Sequence, residues 1–460
     1  MFTIEQIIQD TSGKLTAGVA RGLIRSISID SRVIIKGQVF IAIKWDIFDG
    51  HDFIADVIAK GARVILVHKP VAVTNPNVIV IQVKDTVRAL GHLARFHRLR
   101  FKTPVITITG SAGKTTTKEM IAAVLGRKFK VLKNEGTQNN HIGVPMTLLK
   151  LKPMHKIVVL ECGTNQPGDI PWLAQVAQAD MAVFTNVGES HLEKLKSAKG
   201  VLKEKWALTD CLKKSSVVIM NADDEYLSGQ MKTAGRRFKL ISYGIGAKAS
   251  LQASRVTIEG GRALSFTAAG KRFFLNSCGV SNIYNALAAI ACGQVFRVPT
   301  EESVRALKKF DFPQGRGQIL RLGKGWLIND VYNANPVSMK AALQTLDAIT
   351  IEGQKIFVAA DMLELGGQAK ALHQSIGAVV AKSTVGTIIT VGALSRYIAS
   401  SARKNNRDIH SFVCKDIDEA QKSLAQVFKN GDAVLVKGSR RMKMEQVVEF
   451  LLASPRATLT

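Results

Sequence analysis

A chain of 460 residues is too long for one ordinary core and suits two or three domains of about 100 to 200 residues. With 46% hydrophobic and 22% charged residues it sits near the globular average, which excludes disordered and fibrous classes. The net charge of +27, from 63 Lys and Arg against 36 Asp and Glu, favours polyanions, but runs such as LKEK (202–205) are broken and no basic arm for nucleic acid stands out.

The chain opens MFTIEQIIQD, where Glu5 and Asp10 replace the basic start and apolar run of a signal peptide. Over residues 1–102, short apolar runs (QVFIAI, ARVILV, VIVIQV) alternate with polar turns and helical stretches, predicting a small α/β domain. From Thr103 the β-branched run PVITIT leads into the glycine-bearing loop GSAGKTT and the helical pattern KEMIAAVLGRKF, which opens a second domain over 103–312. Further strand signals at KIVVLE (156–161), MAVFTNV (181–187) and SVVIMN (216–221), spaced by segments of helix length, predict a mostly parallel, doubly wound sheet. Turn residues around Phe312-Pro313-Gln314-Gly315-Arg316 interrupt the pattern, and KIFVAAD, TIITVG and AVLVKG predict a third α/β domain over 313–460. The cysteines Cys162, Cys211, Cys278, Cys292 and Cys414 are scattered without a CxxC pair, so neither a disulfide framework nor a zinc site is expected. No apolar run is long enough to span a bilayer, and the cytoplasm is the expected location.

The chemistry begins at TGSAGKTTTKEM. Gly110 and Gly113 allow backbone N–H groups to turn toward a phosphate, Lys114 supplies a point charge, the Thr115 hydroxyl suits Mg2+, and the following helix adds its positive end. The longer G-x-x-x-x-G-K-[ST] pattern fails at its first position, Ile108, leaving the shorter G-x-x-G-K-T form. Glu161 ends a strand at the edge where a carboxylate meets a nucleotide's metal ion, although a solvated strand end has the same appearance. His191, in TNVGESHLEKL, follows the next strand at the sheet's catalytic edge, where by pattern alone a lone His is more often a surface or capping residue than a ligand. By pattern alone Lys205 is one more solvated cation, and Asn282 and Asn285 lie on a helix whose Ala/Leu/Ile face is first of all buried. In the third domain INDVYNANPVSM (328–339), AADMLELG (359–366) and VLVKGSRRM (434–442) each place Asn, Asp, Gly or cations after an apolar strand, as ligand-holding loops do.

Taken together these strings resemble the Mur ligase family nearly end to end. IDSR (29–32), FDGHDF (48–53) and KDTVRALGHLA (84–94) are similar to its UDP-substrate domain; TGSAGKTT, NNHIGVPMTLL (139–149), NVGESHLE and NADD (221–224) are similar to its ATPase domain. YNANPVSM, DMLELG and KGSRRMKME resemble the branch that adds D-alanyl-D-alanine, and no DNPR motif of the tripeptide-forming branch occurs. The resemblance implies three α/β domains: a small N-terminal substrate domain, a central, mostly parallel P-loop-type ATPase sheet and a Rossmann-like C-terminal domain. It further implies ATP-dependent ligation of D-alanyl-D-alanine to UDP-N-acetylmuramoyl-tripeptide through an acyl phosphate, with Mg2+, in a monomer without a nucleic-acid partner.

Residue by residue, the resemblance implies that Gly110, Ser111, Gly113, Lys114, Thr115 and Thr116 hold the ATP phosphates, with Thr115, Glu161 and His191 on the metal. Lys205 matches a family lysine carbamylated by CO2, which makes it an anionic metal-holding group; Lys114, Lys205 and His191 are thus the implied catalytic set. Asn282, Arg316, Asp330, Tyr332 and Asn333 are implied nucleotide contacts, while Ser31, Arg32, Asn139, Asn140 and His141 would face the UDP-muramoyl peptide. The loops 361–366 and 437–440 would lie toward the amino substrate. The chain departs from the family pattern at Ser281 (often His), Ala360 (often Gly) and Ala207 (often Glu). Two rival readings are a folylpolyglutamate-type or other Mur-family amide ligase and a non-enzymatic basic nucleotide- or nucleic-acid-binding protein; turnover with glutamate and a folate, or salt-sensitive nucleic-acid binding without ATP turnover, would mark them.

Overall fold

The computed structural model describes residues 2–259 and 263–454. β-Branched, wholly buried runs form its strands. In Val105–Thr109 all five side chains are buried, and the period of two sends Ile106 and Ile108 to one face of the sheet and Val105 to the other.

That strand lies inside a seven-stranded sheet, ordered Leu251–Gln252, Lys239–Gly244, Val217–Asn221, Met181–Phe184, Val105–Thr109, Ile157–Glu161 and Val131–Lys133, with every pairing parallel. Parallel strands need both faces covered. On one face, the helices Lys114–Leu125 and Ser281–Val295 pack Met120, Ile121, Ile283 and Leu287 on Ile106, Ile108 and Val183. On the other, Asp169–Ala177 and Ala198–Trp206 contribute Leu173 and Val201, which join Val158, Leu160 and Ala182. An antiparallel three-stranded sheet (Ser254–Glu259, Ala263–Ala268, Lys271–Leu275) extends the first core through Phe266 and Phe273.

The N-terminal sheet has five strands, Lys14–Ala17, Ile79–Gln82, Val64–Val67, Val39–Ile41 and Ile27–Ser28, of which only the first pairing is antiparallel. The C-terminal sheet is likewise mixed: Gln318–Leu322 pairs antiparallel with Gly325–Asp330, and Ala433–Lys437, Lys355–Ala360, Thr387–Val391 and His410–Cys414 continue in parallel. The fold thus has three α/β domains, as expected. Among the described residues no helix is long and apolar enough to cross a membrane.

The third domain sits against the second at the phosphate loop. Asn335 caps the helix Pro336–Ala348 by accepting from Ser338 N, with proline at the first helical position, and its Nδ2 donates to Ser111 O at 3.2 Å. Val337, two residues on, packs so closely on Gly188 that a Cβ there would overlap it.

Candidate active site

The loop after Val105–Thr109 is built for close approach. Gly113 has φ 78, a left-handed conformation that favours glycine, and a side chain at that position would strike Asn285. Helix Lys114–Leu125 begins at once, so its first N–H groups have no intrahelical partner and face a prospective anion. The loop's other side is fastened to the neighbouring strand end: Asn186 Oδ1 accepts from Ala112 N at 2.8 Å, Asn186 O from Ser111 N at 3.0 Å, and Thr185 Oγ1 donates to Ala112 O at 2.7 Å.

Two carboxylate oxygens sit beside this loop on Glu161, which is 1% exposed. Oε2 accepts from Thr115 Oγ1 at 2.8 Å and Oε1 from Asn139 Nδ2 at 2.7 Å, so the hydroxyl and carboxylate expected on the metal are adjacent. Asn134 brackets the same residue's backbone, accepting from Glu161 N and donating to Glu161 O. Lys118, wholly buried, ties this segment to the phosphate-loop helix by donating to Asn134 O and Gly136 O. The Thr115 hydroxyl and the Glu161 carboxylate are hard oxygen donors that fit Mg2+, which takes one or two carboxylates plus substrate phosphates. Among the described residues no three His, Cys, Asp or Glu side chains cluster to hold a metal unaided.

Lys114 and Arg316 act on that carboxylate, and Lys205 lies beside Lys114. Burial holds the Lys114 amine below its ordinary pKa, with Glu161 opposing the shift and Arg316 adding to it; its Nζ donates to Gly110 O at 2.8 Å. Lys205, 1% exposed on the helix Ala198–Trp206, is pushed well below the ordinary lysine value, first by burial and then by Lys114. Sequence pattern had suggested a solvated cation there; packing of the helix Asp169–Ala177 against it makes it a buried, readily deprotonated amine. Its neighbour Glu204 caps that same helix, accepting from Gly168 N and Ile170 N. Burial also lowers the Arg316 guanidinium, which stacks 3.6 Å from the centroid of the Tyr332 ring.

A single cavity of about 790 Å³ gathers most of the expected positions: Ser111, Gly113, Lys114, Thr116, Asn139, Asn140, His141, Glu161, His191, Asn282, Arg316, Asp330, Tyr332 and Asn333 line it. Gly110, Thr115 and Lys205 stand behind that lining, attached through Lys114 and Glu161. Asp330 receives Lys437 Nζ at 2.6 Å, an ion pair between neighbouring strand ends of the third domain. His141 Nε2 is 3.4 Å from Asp169 Oδ1.

Ser31 and Arg32 do not join this cavity. They lie in the N-terminal domain beyond Ile27–Ser28, where Arg32 makes a two-pronged pair with Asp30 and Ser31 O accepts from Lys60 Nζ. His191 is at the cavity, yet its Nδ1 pairs with Glu364 Oε2 of the third domain at 2.6 Å. That pairing is seconded by Glu193 N donating to Glu364 O. Burial is opposed at Glu364: hydrogen bonding by His191 is the largest influence and holds its carboxyl below the ordinary range. Of the departures from pattern, Ser281 lines the cavity, Ala360 packs behind Gly438, and Ala207 follows the Lys205 helix.

Sequence reasoning gave no role to Asn186, Asn335 or Glu204. Asn186 stands at the end of a predicted strand, and Asn335-Pro336 is a helix-start signal, so both carried a usable trace. Nothing local distinguishes Glu204 in LKEKW from a solvated acid.

The fold and site define a phosphate-loop protein in which a third domain completes the nucleotide cavity. Mur ligase, glutamate ligase domain matches residues 315–440, Mur ligase middle domain 108–293, and Mur ligase family, catalytic domain 23–98. The UDP-N-acetylmuramoyl-tripeptide–D-alanyl-D-alanine ligase of Bacillus subtilis is 35% identical, over 98% of this chain and 99% of that protein. The Escherichia coli ligase of that name is 33% identical over 98% of each. A crystal structure of MurF from Acinetobacter baumannii superposes with a TM-score of 0.89 at 29% identity, covering 98% of this chain and 99% of that one. MurF from Thermotoga maritima in complex with ADP gives 0.82 at 26%, covering 93% and 97%. This chain belongs to the Mur ligase family.

Proposed function

We propose that the chain is an ATP-dependent ligase joining D-alanyl-D-alanine to UDP-N-acetylmuramoyl-tripeptide, with ADP and phosphate as by-products. The observation that carries the reading is the single cavity in which the phosphate loop, Glu161 and the third domain's 330–338 segment meet. Full-length similarity to ligases of that name, and to a relative in complex with ADP, supports the substrates.

A carboxylate acylates an amine only once its oxygen becomes a leaving group. The tripeptide carboxylate attacks the γ-phosphorus of ATP, ADP departs, and an acyl phosphate forms; the dipeptide amine then adds to the acyl carbon, loses a proton, and phosphate is expelled. Lys114, the helix N-terminus after Gly113, and Arg316 stabilise the charge on the transferred group through position and field. Thr115 and Glu161 would hold Mg2+, which when bound supplies Lewis-acid charge neutralisation of the phosphates. His191 stands beside them as a further ligand of the same cavity. Asn282, Asp330, Tyr332 and Asn333 contact the nucleotide, and Asn139, Asn140 and His141 the muramoyl peptide, whose UDP end extends to Ser31 and Arg32. CO2 reacts with neutral amines, and the depressed Lys205 amine supports a carbamate at that position.

The domains run 1–102, 103–312 and 313–460, with the substrate, ATP and ligase roles in that order. The enzyme acts in the bacterial cytoplasm as a monomer. Phosphate release with ATP and Mg2+, adding the two other substrates separately and then together, tests the reading with mass spectrometry of the product. Release only with both, and a product heavier by the dipeptide less one water, is expected; silence from folded, ATP-binding protein would overturn the substrate assignment.

A further inference from the structure

Six Lys and Arg side chains line the cavity, and five have occupations. Lys114 donates to Gly110 O at 2.8 Å, Lys194 to Gln166 Oε1 at 3.0 Å, and Lys437 to Asp330 Oδ2 at 2.6 Å. Arg316 lies on Tyr332, and Arg440 Nη1 reaches Glu445 Oε1 at 3.3 Å. Arg441 is the sixth. It is exposed on the 440–442 turn after Ala433–Lys437, and among the described residues no ion pair or hydrogen bond to its guanidinium is formed. It is among the charges that hold the Glu364 carboxyl down, and that carboxylate is already committed to His191.

Of the three substrates, the dipeptide carries its own demand for such a group. Its amine must reach the acyl carbon, while its carboxylate lies about 7 Å away along an extended chain. A carboxylate drawn into the cavity without a partner is costly, and a guanidinium fork is the side chain that best fits it. ATP, by contrast, is served by the phosphate loop, and the UDP group by Ser31 and Arg32 of the N-terminal domain. We infer that Arg441 binds the free carboxylate of the dipeptide acceptor and thereby selects a C-terminal acid at that end of the cavity. The inference rests on the ligase reading above.

The experiment compares D-alanyl-D-alanine with D-alanyl-D-alaninamide as acceptors for the unsubstituted enzyme, Arg441→Gln and Arg441→Lys. Turnover of the unsubstituted enzyme with the dipeptide is the control on the ligase reading; silence there would overturn both. Given turnover, Arg441→Gln is expected to raise KM for the dipeptide by about 10- to 100-fold, the scale of a lost charge-assisted pair. KM for ATP and for the UDP-tripeptide should stay unchanged, and the preference for acid over amide should vanish. Arg441→Lys should fall between, keeping the charge and losing the fork. An acid-over-amide preference retained in Arg441→Gln would overturn the inference, as would a KM change confined to ATP or to the UDP-tripeptide. The residue is exposed, so an unchanged melting temperature keeps a folding defect from mimicking either result.

Discussion

Gly110→Ala tests the tightest contact of the phosphate loop. A methyl at Gly110 would overlap the Thr185 hydroxyl and lie 3.1 Å from Thr185 Cβ and 3.2 Å from Asn186 N. Thr185 is 3% exposed and its hydroxyl is held by Ala112 O at 2.7 Å, so it has no solvent to retreat into. Overpacking of this kind costs about 1–3 kcal/mol, and displacing the hydroxyl forfeits about 1 kcal/mol more. Urea unfolding should therefore show Gly110→Ala destabilised by about 2–4 kcal/mol, and calorimetry at least a roughly tenfold loss in ATP affinity as the loop shifts. Thr185→Ala alone should cost about 1 kcal/mol, whereas the double variant should recover stability relative to Gly110→Ala, with a coupling of about 1–2 kcal/mol. Additive effects, or Gly110→Ala binding ATP like the parent, would refute the steric argument.

Glu364→Gln should change stability by less than about 1 kcal/mol, because the Glu364 and His191 side chains are 41% and 18% exposed and water screens the pair. Its larger effect should be a fall in kcat with a more open domain arrangement in X-ray scattering, since the pair joins the second and third domains. The Glu364 pKa is depressed, so its stabilising contribution is present above the ordinary glutamate value and lost as pH falls through the lower folded one; this acid limb should flatten in Glu364→Gln urea titrations. Stripping CO2 from the buffer should lower activity and bicarbonate should restore it, with a carbamate resonance from 13C-labelled CO2 that is absent in Lys205→Arg.

The parts of the molecule legible in the sequence are those whose meaning is contiguous. Strand, glycine loop and helix follow one another from Val105 to Leu125, and a wholly β-branched run ahead of a glycine loop has few alternatives to a buried parallel strand. What was illegible depends on partners far along the chain. Asn285 meets Thr117 across 168 residues, His191 meets Glu364 across 173, and Asn335 meets Ser111 across 224. Lys205 shows the same difficulty in one residue: its helix has charges at 203, 204 and 205, and only tertiary packing decides that Glu204 and Lys205 turn inward. The antiparallel strands 254–275 were missed because Ser254–Glu259 is largely exposed, so its alternation is weak.

Lys114 lies within the fields of Arg316, Glu161 and Lys205, so their proton equilibria are linked. Lys114 holds its proton loosely because burial and Arg316 disfavour the ammonium form, and Lys114 in turn disfavours the ammonium form of Lys205. Arriving phosphates favour the ammonium form of Lys114, opposite to the effect of burial and Arg316. Calorimetry in buffers of different ionisation heat is the check: the enthalpy of ATP binding should vary with the buffer, and a buffer-independent enthalpy would refute the linkage. Nucleotide recognition at this loop is thereby tied to the proton on Lys114 as well as to the fit of the phosphates.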